Sequence, residues 1–177
     1  MKNISTKCDD SINKPCKEFS LVSESAEQTK QIGQYLVEHL NDGQNIGLFG
    51  ELGAGKTQLV KGIAQGLHIN EDEVVSPSFG LINVYEGDKK LYHVDLYRLE
   101  SSSEISTIGL DDYIFGEGLC VIEWADHLGK DVKFLDLRIY FDILKTGRRV
   151  LTFHDKALNT LKRALKSLNI NKGLQWH

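Results

Sequence analysis

An eight-residue stretch in the first third of the chain has the composition of a phosphate-binding loop. Residues 50–57 fit the pattern G-x-x-x-x-G-K-[ST]. Glycines let successive backbone N–H groups turn toward a phosphate, because no Cβ restricts their torsions. The Lys56 ammonium suits the β/γ-phosphates, and the Thr57 hydroxyl suits a Mg²⁺ ion. The predicted nucleotide-binding residues are Gly50, Glu51, Leu52, Gly53, Ala54, Gly55, Lys56 and Thr57.

The segments on either side of this loop are those that a nucleotide site requires. Residues 45–49 read as a short apolar strand that ends at the loop. Apolar residues then recur at spacings of three and four, as on one face of a helix: Leu59, Val60, Ile63, Ala64 and Leu67. The unpaired N–H groups at the start of such a helix favour a bound phosphate. The order strand, loop, helix therefore supports nucleotide binding.

A phosphate-binding loop works with an acid at the end of a neighbouring strand, which holds Mg²⁺ or its waters. Two apolar segments end in such an acid: residues 91–94 precede Asp95, and residues 119–122 precede Glu123. The second segment is the more apolar, which predicts that it lies beside the strand of the loop. We therefore predict Glu123 as the metal-side acid and Asp95 as a water-orienting or second metal-shell residue. A helix cap or a surface ion pair is the alternative for each.

Three further residues have two interpretations each. Arg98 could neutralise charge in a phosphoryl-transfer transition state, or it could pair with Glu100 or Asp95. Trp124 is predicted to pack near the site rather than to stack on a base. The six histidines lack the spacing of a metal site and are predicted to be ordinary surface or core residues, except that a role for His93 is left open. The chain has no Asn-Lys-x-Asp stretch of the kind that reads guanine, which favours ATP.

Length and composition indicate one cytosolic domain. The chain has 177 residues, of which 41% are hydrophobic, enough for a buried core. It contains no apolar run of roughly 18 residues, so no contact with a membrane is predicted. Three cysteines are too few and too widely spaced for a zinc site or a disulfide framework. These features predict a cytoplasmic location.

The charge is distributed unevenly along the chain. Residues 1–132 hold 11 Lys/Arg and 22 Asp/Glu, whereas residues 133–177 hold 10 Lys/Arg and three Asp. A basic end could meet nucleic acid or an acidic partner, but it could also be a solvated face with a lysine-rich helix. The net charge of −4 argues against strong binding of nucleic acid by the whole chain.

The predicted fold class is α/β: a single P-loop NTPase domain with a mixed central sheet flanked by helices. A strand over residues 17–22 precedes a helix that Ser25 and Gln28 open as a capping box. An antiparallel hairpin over residues 81–95 replaces the crossover helix of a doubly wound sheet. A short helix follows from Ser101 to about residue 108, and a second hairpin is predicted from residues 137–143 and 149–153.

The domain boundaries follow from the same pattern. Residues 1–16 are predicted to be a flexible leader, and residues 17–155 the P-loop ATPase domain. Residues 156–170 are predicted to be an amphipathic helix packed on that domain, and residues 171–177 a polar tail.

Four stretches in this order and approximate spacing resemble the TsaE (YjeE) family. They are the loop at residues 50–57, Ser-Pro-Ser-Phe at 76–79, His-Val-Asp-Leu-Tyr-Arg at 93–98 and Ile-Glu-Trp at 122–124. The resemblance covers about residues 18–155. It implies an ATPase that binds ATP and Mg²⁺, hydrolyses ATP slowly alone, and is required for threonylcarbamoylation of the tRNA adenosine beside the anticodon.

The resemblance also implies partners and residue roles. The partners would be TsaD-like and TsaB-like proteins, with tRNA contacted indirectly through their complex. Lys56 and Thr57 would hold phosphates and Mg²⁺, Glu123 would be a Mg²⁺ ligand, and Asp95 would be essential for hydrolysis. Residues 76–79 would form a switch-like loop, and Thr29 would lie near the nucleotide base.

Two departures and two rival functions accompany this resemblance. The family commonly has Thr at position 78 and Thr or Ser at position 80, where this chain has Ser78 and Gly80. Ser78 keeps the hydroxyl without the methyl group, whereas Gly80 has no hydroxyl, so any role of a hydroxyl at position 80 is in doubt. A P-loop small-molecule kinase is the first rival, although the sequence lacks an obvious arginine-rich lid. A nucleotide-gated binding module with vestigial hydrolysis is the second.

Overall fold

An eight-stranded mixed sheet organises the protein, in a computed structural model that describes residues 17–77, 81–99, 102–105, 107–155 and 175–176. The strands, in chain order, are β1 (Lys17–Ser23), β2 (Asn45–Phe49), β3 (Ile82–Tyr85), β4 (Leu91–Asp95), β5 (Leu119–Glu123), β6 (Leu137–Ile143), β7 (Arg149–Asp155) and β8 (Gln175–Trp176). The α-helices are α1 (Ala26–Val37), α2 (Lys56–Gly66), α3 (Ser102–Ile105) and α4 (Asp111–Ile114). Two 3₁₀ segments span Glu71–Glu73 and Ala125–Phe134.

The strand order places the phosphate-binding loop near the middle of the sheet. The order is β3-β4-β5-β2-β6-β7-β1-β8. β4, β5, β2 and β6 are mutually parallel neighbours, so their carboxyl ends lie along one edge. β3, β7, β1 and β8 add antiparallel pairs at the two sides. Because β7 runs back from β6, its first residue, Arg149, lies at the edge that carries the loop.

Apolar residues cover both faces of the sheet. On one face α1 and α2 pack on β2, β5, β6 and their neighbours through a core that includes Ile32, Leu36, Leu59 and Ile63, all fully buried. On the other face Ile105, Ile114 and Leu128 pack on Val94 and Ile122. Two covered faces explain why β2 and β5 are continuous apolar runs.

Helices α1 and α2 approach each other unusually closely. A Cβ built on Gly62 would lie 2.0 Å from the backbone oxygen of Lys30. The same helix pair meets at Gly66, where a Cβ would lie 2.9 Å from the oxygen of Gln34. Small residues on α2 therefore let the helix of the nucleotide loop sit directly on α1.

The structure confirms the predicted α/β class, the mixed sheet and both hairpins. The helix cap at Ser25 forms as predicted, with the Ser25 hydroxyl accepting a hydrogen bond from the Gln28 N–H at 3.1 Å. The Gln28 side chain accepts from the N–H of Glu24 rather than from that of Ser25, so the capping box is displaced by one residue.

Several elements differ from the predictions. The helix predicted from Ser101 to about residue 108 is only one turn, α3, and residues 100, 101 and 106 lie outside the described residues. Helix α4 and the 3₁₀ segment Ala125–Phe134 were not predicted. Helix α4 is a single turn, and the 3₁₀ segment is broken by the non-helical backbone of Gly129, with φ 57° and ψ −114°, so neither shows a helical period. Residues 175–176, predicted to belong to a polar tail, pair with β1.

The predicted leader at 1–16 and the predicted helix at 156–170 lie outside the described residues. Where the structure describes the chain, it contains no helix long and apolar enough to cross a bilayer.

Candidate active site

The phosphate-binding loop joins β2 to α2, and its backbone has the torsions that the glycines allow. Gly50 leaves β2 with φ 142°, against Phe141 of β6: a Cβ there would lie 2.7 Å from the Phe141 backbone oxygen. Gly55 caps α2 in a left-handed conformation, with φ 103°. Both positions therefore require glycine. Leu52 at the tip of the loop is 72% exposed, whereas Ala54 is buried.

A cleft of about 540 Å³ opens beside this loop. Its walls come from the loop, the carboxyl ends of β4 and β5, the start of α1 and the start of β7. The lining residues are Ala26, Leu52, Gly53, Gly55, Lys56, Thr57, Gln58, Ser76, Pro77, Leu81, Asp95, Tyr97, Arg98, Glu123, Trp124 and Arg149. The predicted Lys56, Thr57, Asp95 and Glu123 thus share one cavity, large enough for a small ligand.

Lys56 is held inside its own loop. Its ammonium donates to the backbone oxygens of Gly50 at 2.7 Å and Glu51 at 3.0 Å. The same nitrogen lies 4.0 Å from the centre of the Trp124 ring, a cation–π contact. Burial lowers the pKa of Lys56, and the negative charges of Glu123 and Asp95 oppose that shift. A bound phosphate would add negative charge and favour the ammonium further.

The Glu123 carboxylate is bonded from two directions. The Thr57 hydroxyl, at the start of α2, donates to it, with distances of 2.9 and 3.1 Å to its two oxygens. His93 Nε2, in β4, lies 2.9 Å from Glu123 Oε1. Only 3% of the Glu123 side chain is exposed. Sequence reasoning identified Thr57 and Glu123 but assigned no role to His93.

Asp95 lies beside Glu123 because β4 and β5 are parallel neighbours in register, Asp95 opposite Glu123. The Ser76 hydroxyl donates to Asp95 Oδ2, and the N–H of Tyr97 donates to Oδ1 at 3.0 Å. Ser76 and Pro77 are the described part of the predicted switch-like loop: Ser76 contacts the acid directly, and Pro77 lines the cleft. Ser78, Phe79 and Gly80 lie outside the described residues.

Trp124 lines the cleft and also packs, as predicted. Its ring lies 4.8 Å from that of Tyr97 and 4.0 Å from the Lys56 ammonium. Its backbone is left-handed, with φ 57° and ψ 43°. That conformation costs roughly 1–2 kcal/mol in a residue with a Cβ. Strain of this kind is typical of residues that a functional site positions.

The structure does not bring the Thr29 side chain into the cleft. Thr29 is fully buried, and its hydroxyl bonds the Ser23 hydroxyl at 2.8 Å and the Ser25 backbone oxygen at 3.2 Å. Its role is to hold β1 against the start of α1. Ala26, one turn earlier, is the residue of this helix that lines the cleft. That Thr29 lies near a nucleotide base stays a prediction.

Arg149 is a cleft residue that the sequence did not single out. A Cβ on Gly55 would lie 3.5 Å from Arg149 Nε, which places the guanidinium against the loop. Nη1 donates to the Gly147 backbone oxygen at 3.4 Å, while the buried Nε has no hydrogen-bond partner in the part of the chain that the structure describes. The only available signal was the predicted hairpin, which returns the chain to the loop edge.

The oxygen donors at the acid end of the cleft fit Mg²⁺. The Thr57 hydroxyl and the Glu123 carboxylate converge within hydrogen-bond distance, with Asp95 on the adjacent strand. Mg²⁺ commonly takes one or two protein oxygens and completes its shell with phosphates and water. The described residues contain no cluster of three or more His, Cys, Asp or Glu that could hold a metal ion.

Comparison with known proteins identifies the family. A family model described as "Threonylcarbamoyl adenosine biosynthesis protein TsaE" matches residues 23–150. The chain belongs to the TsaE family. The matched residues include the whole phosphate-binding loop, Asp95, Glu123 and Arg149, so the TsaE match covers every wall of the cleft.

Individual TsaE proteins are similar over most of the chain. A protein named tRNA threonylcarbamoyladenosine biosynthesis protein TsaE from Treponema pallidum is 40% identical over 131 residues, which are 74% of this chain and 96% of that protein. The protein of the same name from Bacillus subtilis is 39% identical, covering 72% of this chain and 79% of the relative.

A solved structure has the same fold. The crystal structure of YdiB from Bacillus subtilis superposes with a TM-score of 0.66 at 30% sequence identity. The match covers 88% of this chain and 97% of YdiB. The similarity to YdiB therefore extends over most of the chain.

Proposed function

We propose that this TsaE-family protein binds and slowly hydrolyses ATP in the cytoplasm, with Mg²⁺, as a subunit of a machine that threonylcarbamoylates tRNA. One observation carries the proposal: Lys56 and Thr57 of the phosphate-binding loop share a single cleft with Asp95 and Glu123. A phosphate cradle with two acids at one end is what hydrolysis of a nucleoside triphosphate requires. The TsaE family supplies the biological context.

The residues would divide the chemistry between them. Backbone N–H groups of the loop and the Lys56 ammonium hold the phosphates, and the Thr57 hydroxyl and Glu123 hold Mg²⁺. Bound Mg²⁺ supplies positive charge that offsets the charge of the phosphates. Asp95 orients a water molecule whose oxygen forms a bond to the γ-phosphorus. The bond from that phosphorus to the β,γ-bridging oxygen breaks, giving ADP and inorganic phosphate, and the proton lost by the water passes to solvent.

Two arginines, Arg98 and Arg149, line the cleft, and the Arg149 guanidinium lies against Gly55 of the loop. Positive charge at the transferred phosphoryl group is worth several powers of ten in rate, and it is often supplied by a partner. We propose that the partner is a complex of TsaD-like and TsaB-like proteins, through which the tRNA is reached.

The test is a reconstituted modification reaction. Full-length protein is combined with Mg-ATP, TsaD-like and TsaB-like proteins and tRNA, and modified adenosine is quantified by nucleoside mass spectrometry. Wild-type protein should give several modified tRNAs per TsaD-like molecule. The Lys56→Ala variant, which loses the phosphate-binding ammonium, should stop near a single turnover. A pull-down with and without ATP should retrieve the same two partners.

Two other results would replace the proposal. Transfer of phosphate from ATP to a metabolite faster than to water would indicate a kinase. Equal support of turnover by wild-type protein and by a variant that binds ATP without hydrolysing it would indicate a nucleotide-gated binding module.

A further inference from the structure

A buried histidine contacts the predicted metal-side acid. His93 lies in β4 with no exposed side-chain surface, and its Nε2 is 2.9 Å from Glu123 Oε1. The Glu123 carboxylate is itself only 3% exposed. A polar pair in such a dry environment has a strong effect on geometry, because neither group can exchange its partner for water.

The sheet register explains why these two side chains meet. β4 and β5 are parallel, with His93 opposite Val121 and Asp95 opposite Glu123. Alternate residues of a strand share a face, so His93 and Asp95 point to the same side of the sheet. Glu123 lies on that side too, diagonally across from His93. This is the face on which α2 packs, and α2 begins with Lys56 and Thr57.

The surroundings of the imidazole indicate which nitrogen carries the proton. Nδ1 of His93 has no hydrogen-bond partner among the described residues. A proton on Nδ1 would be a buried donor without an acceptor, which is costly. In the neutral tautomer with its proton on Nε2, the ring donates to the Glu123 carboxylate, whereas the other tautomer would place the Nε2 lone pair against a carboxylate oxygen. The Thr57 hydroxyl, at the start of α2, donates to the same carboxylate.

We propose that His93 is a positioning residue for Glu123: its Nε2–H holds the carboxylate in the orientation that a Mg²⁺-nucleotide complex needs. The inference rests on the proposed nucleotide function. A group that hydrogen-bonds to a metal ligand without touching the metal fixes the orientation of that ligand. Loss of such a group typically weakens metal binding roughly 10- to 100-fold. His93 would therefore act on the metal-dependent part of nucleotide affinity and leave phosphate binding by the loop unchanged.

A packing role for His93 predicts something different. If the imidazole only fills space in the core, its replacement by a ring of similar size should leave the metal dependence unchanged. If its loss disturbs the fold, nucleotide binding should weaken equally with and without Mg²⁺. The two roles are separated by measuring nucleotide affinity in both conditions.

The test uses His93→Phe, which keeps a planar ring and removes the donor. Affinity for mant-ADP, a fluorescent ADP, is measured on the full chain in excess Mg²⁺ and in EDTA. We expect the Mg²⁺-dependent gain in affinity to fall about 10-fold or more, with the EDTA value unchanged. His154→Phe is the matched control, since His154 is also a buried histidine of the sheet but lies in β7, three strands from β5, where its ring packs on Tyr140. It should retain the wild-type gain.

A second pair of variants keeps the inference testable if His93→Phe does not fold. The amide nitrogen of His93→Gln can reach the position of Nε2, whereas that of His93→Asn is too short to do so. The Gln variant should recover most of the Mg²⁺-dependent gain, and the Asn variant should not. Equal behaviour of the two, or a wild-type gain in His93→Phe, would overturn the positioning role. Wild-type protein that does not bind mant-ADP in Mg²⁺ would instead overturn the proposed function and this inference with it.

Discussion

At the residue scale, the two acids of the cleft accept hydrogen bonds from residues on several different elements. Thr57 at the start of α2 and His93 in β4 both reach Glu123 at the end of β5. Asp95 receives the Ser76 hydroxyl and the Tyr97 N–H. Each acid is therefore held by at least two donors before any ligand is considered, which is the preorganisation that electrostatic catalysis needs.

The two acids, Asp95 and Glu123, should be required for ATP hydrolysis but not for nucleotide binding in the absence of Mg²⁺. We expect Glu123→Gln and Asp95→Asn to lower the rate of ATP hydrolysis roughly 100-fold or more, because they remove a metal ligand and a water-orienting group. Affinity for mant-ADP in EDTA should remain near wild type. Asp126→Asn is the control, since Asp126 is an exposed acid that also acts on Lys56 through its charge. Normal hydrolysis in both acid variants would contradict the site assignment.

Arg149 should contribute to affinity rather than to the chemical step. Its guanidinium lies against Gly55, in the part of the loop that cradles the α/β-phosphates. We expect Arg149→Gln to raise the Kd for ATP and ADP by a similar factor, about 10-fold, with little change in kcat. Titration calorimetry and steady-state kinetics would measure the two effects.

The neighbouring arginine is the control for that experiment. Arg148 does not line the cleft: its guanidinium lies 3.9 Å from Glu24, and its Nε donates to the Thr146 hydroxyl. Arg148→Gln should bind nucleotide like wild type. If Arg149→Gln lowered kcat and left both affinities unchanged, Arg149 would instead act at the γ-phosphate.

At the scale of elements, the site depends on how closely α2 lies on α1. The phosphate-binding loop and Thr57 are carried by α2, and Ala26 of the cleft wall is carried by α1. Glycines at the contact remove the side chains that would separate the helices. A rigid helix pair thus sets the distance between the loop and the cleft wall opposite the acids.

Substitution at this helix contact should destabilise the fold in proportion to the clash. A Cβ at Gly62 would lie 2.0 Å from the Lys30 oxygen, whereas one at Gly66 would lie 2.9 Å from the Gln34 oxygen. Both Gly→Ala changes gain the same helix propensity, up to about 1 kcal/mol. We expect Gly62→Ala to lower the free energy of unfolding by about 1–3 kcal/mol, and Gly66→Ala by less. Urea unfolding measures both, and equal values would show that the contact is not tight.

At the scale of the whole molecule, the central strands of the sheet are sealed from solvent. Cys120 in β5 has no exposed surface, and burial raises the pKa of its thiol to about 12. The thiolate is the reactive form, so the folded protein should protect this cysteine at pH 8. Reaction of Cys120 with a thiol reagent therefore reports opening of the central sheet.

The labelling rate of Cys120 can therefore be used to measure how much a bound ligand stabilises the folded protein. In a Cys8→Ser, Cys16→Ser background, labelling of Cys120 at pH 8 should require unfolding and should accelerate in urea. Mg-ADP at 100 times its Kd should slow labelling about 100-fold, because it binds only the folded chain. The Lys56→Ala variant should show no such slowing. Rapid labelling of the native protein would contradict the burial of β5.

The same thiol predicts how stability depends on pH. Its pKa is raised from 9.0 to about 12 by folding, so only the unfolded chain ionises between these values. The folded state therefore loses relative stability as pH rises above about 9. Unfolding of a Cys120→Ala variant should depend less steeply on pH in this range, as monitored in urea titrations.

Local sequence was sufficient for the features that local chemistry determines. Glycine spacing and the following Lys56 and Thr57 predict a phosphate loop wherever a strand precedes it and a helix follows. The continuous apolar run before Glu123 predicts a central strand, and β5 is indeed the direct neighbour of β2. These predictions hold because backbone torsions, the helical period and burial on both faces of a sheet each require particular residue types within a short stretch of sequence.

Contacts across the sheet were decided only by the tertiary structure. His93 meets Glu123 through strand register, and Arg149 meets Gly55 because β7 returns to the edge of the loop. Side chains separated by 30 or more residues have no local pattern that records their pairing. Which of them converge on one cleft depends on the order and register of strands, a property of the whole fold.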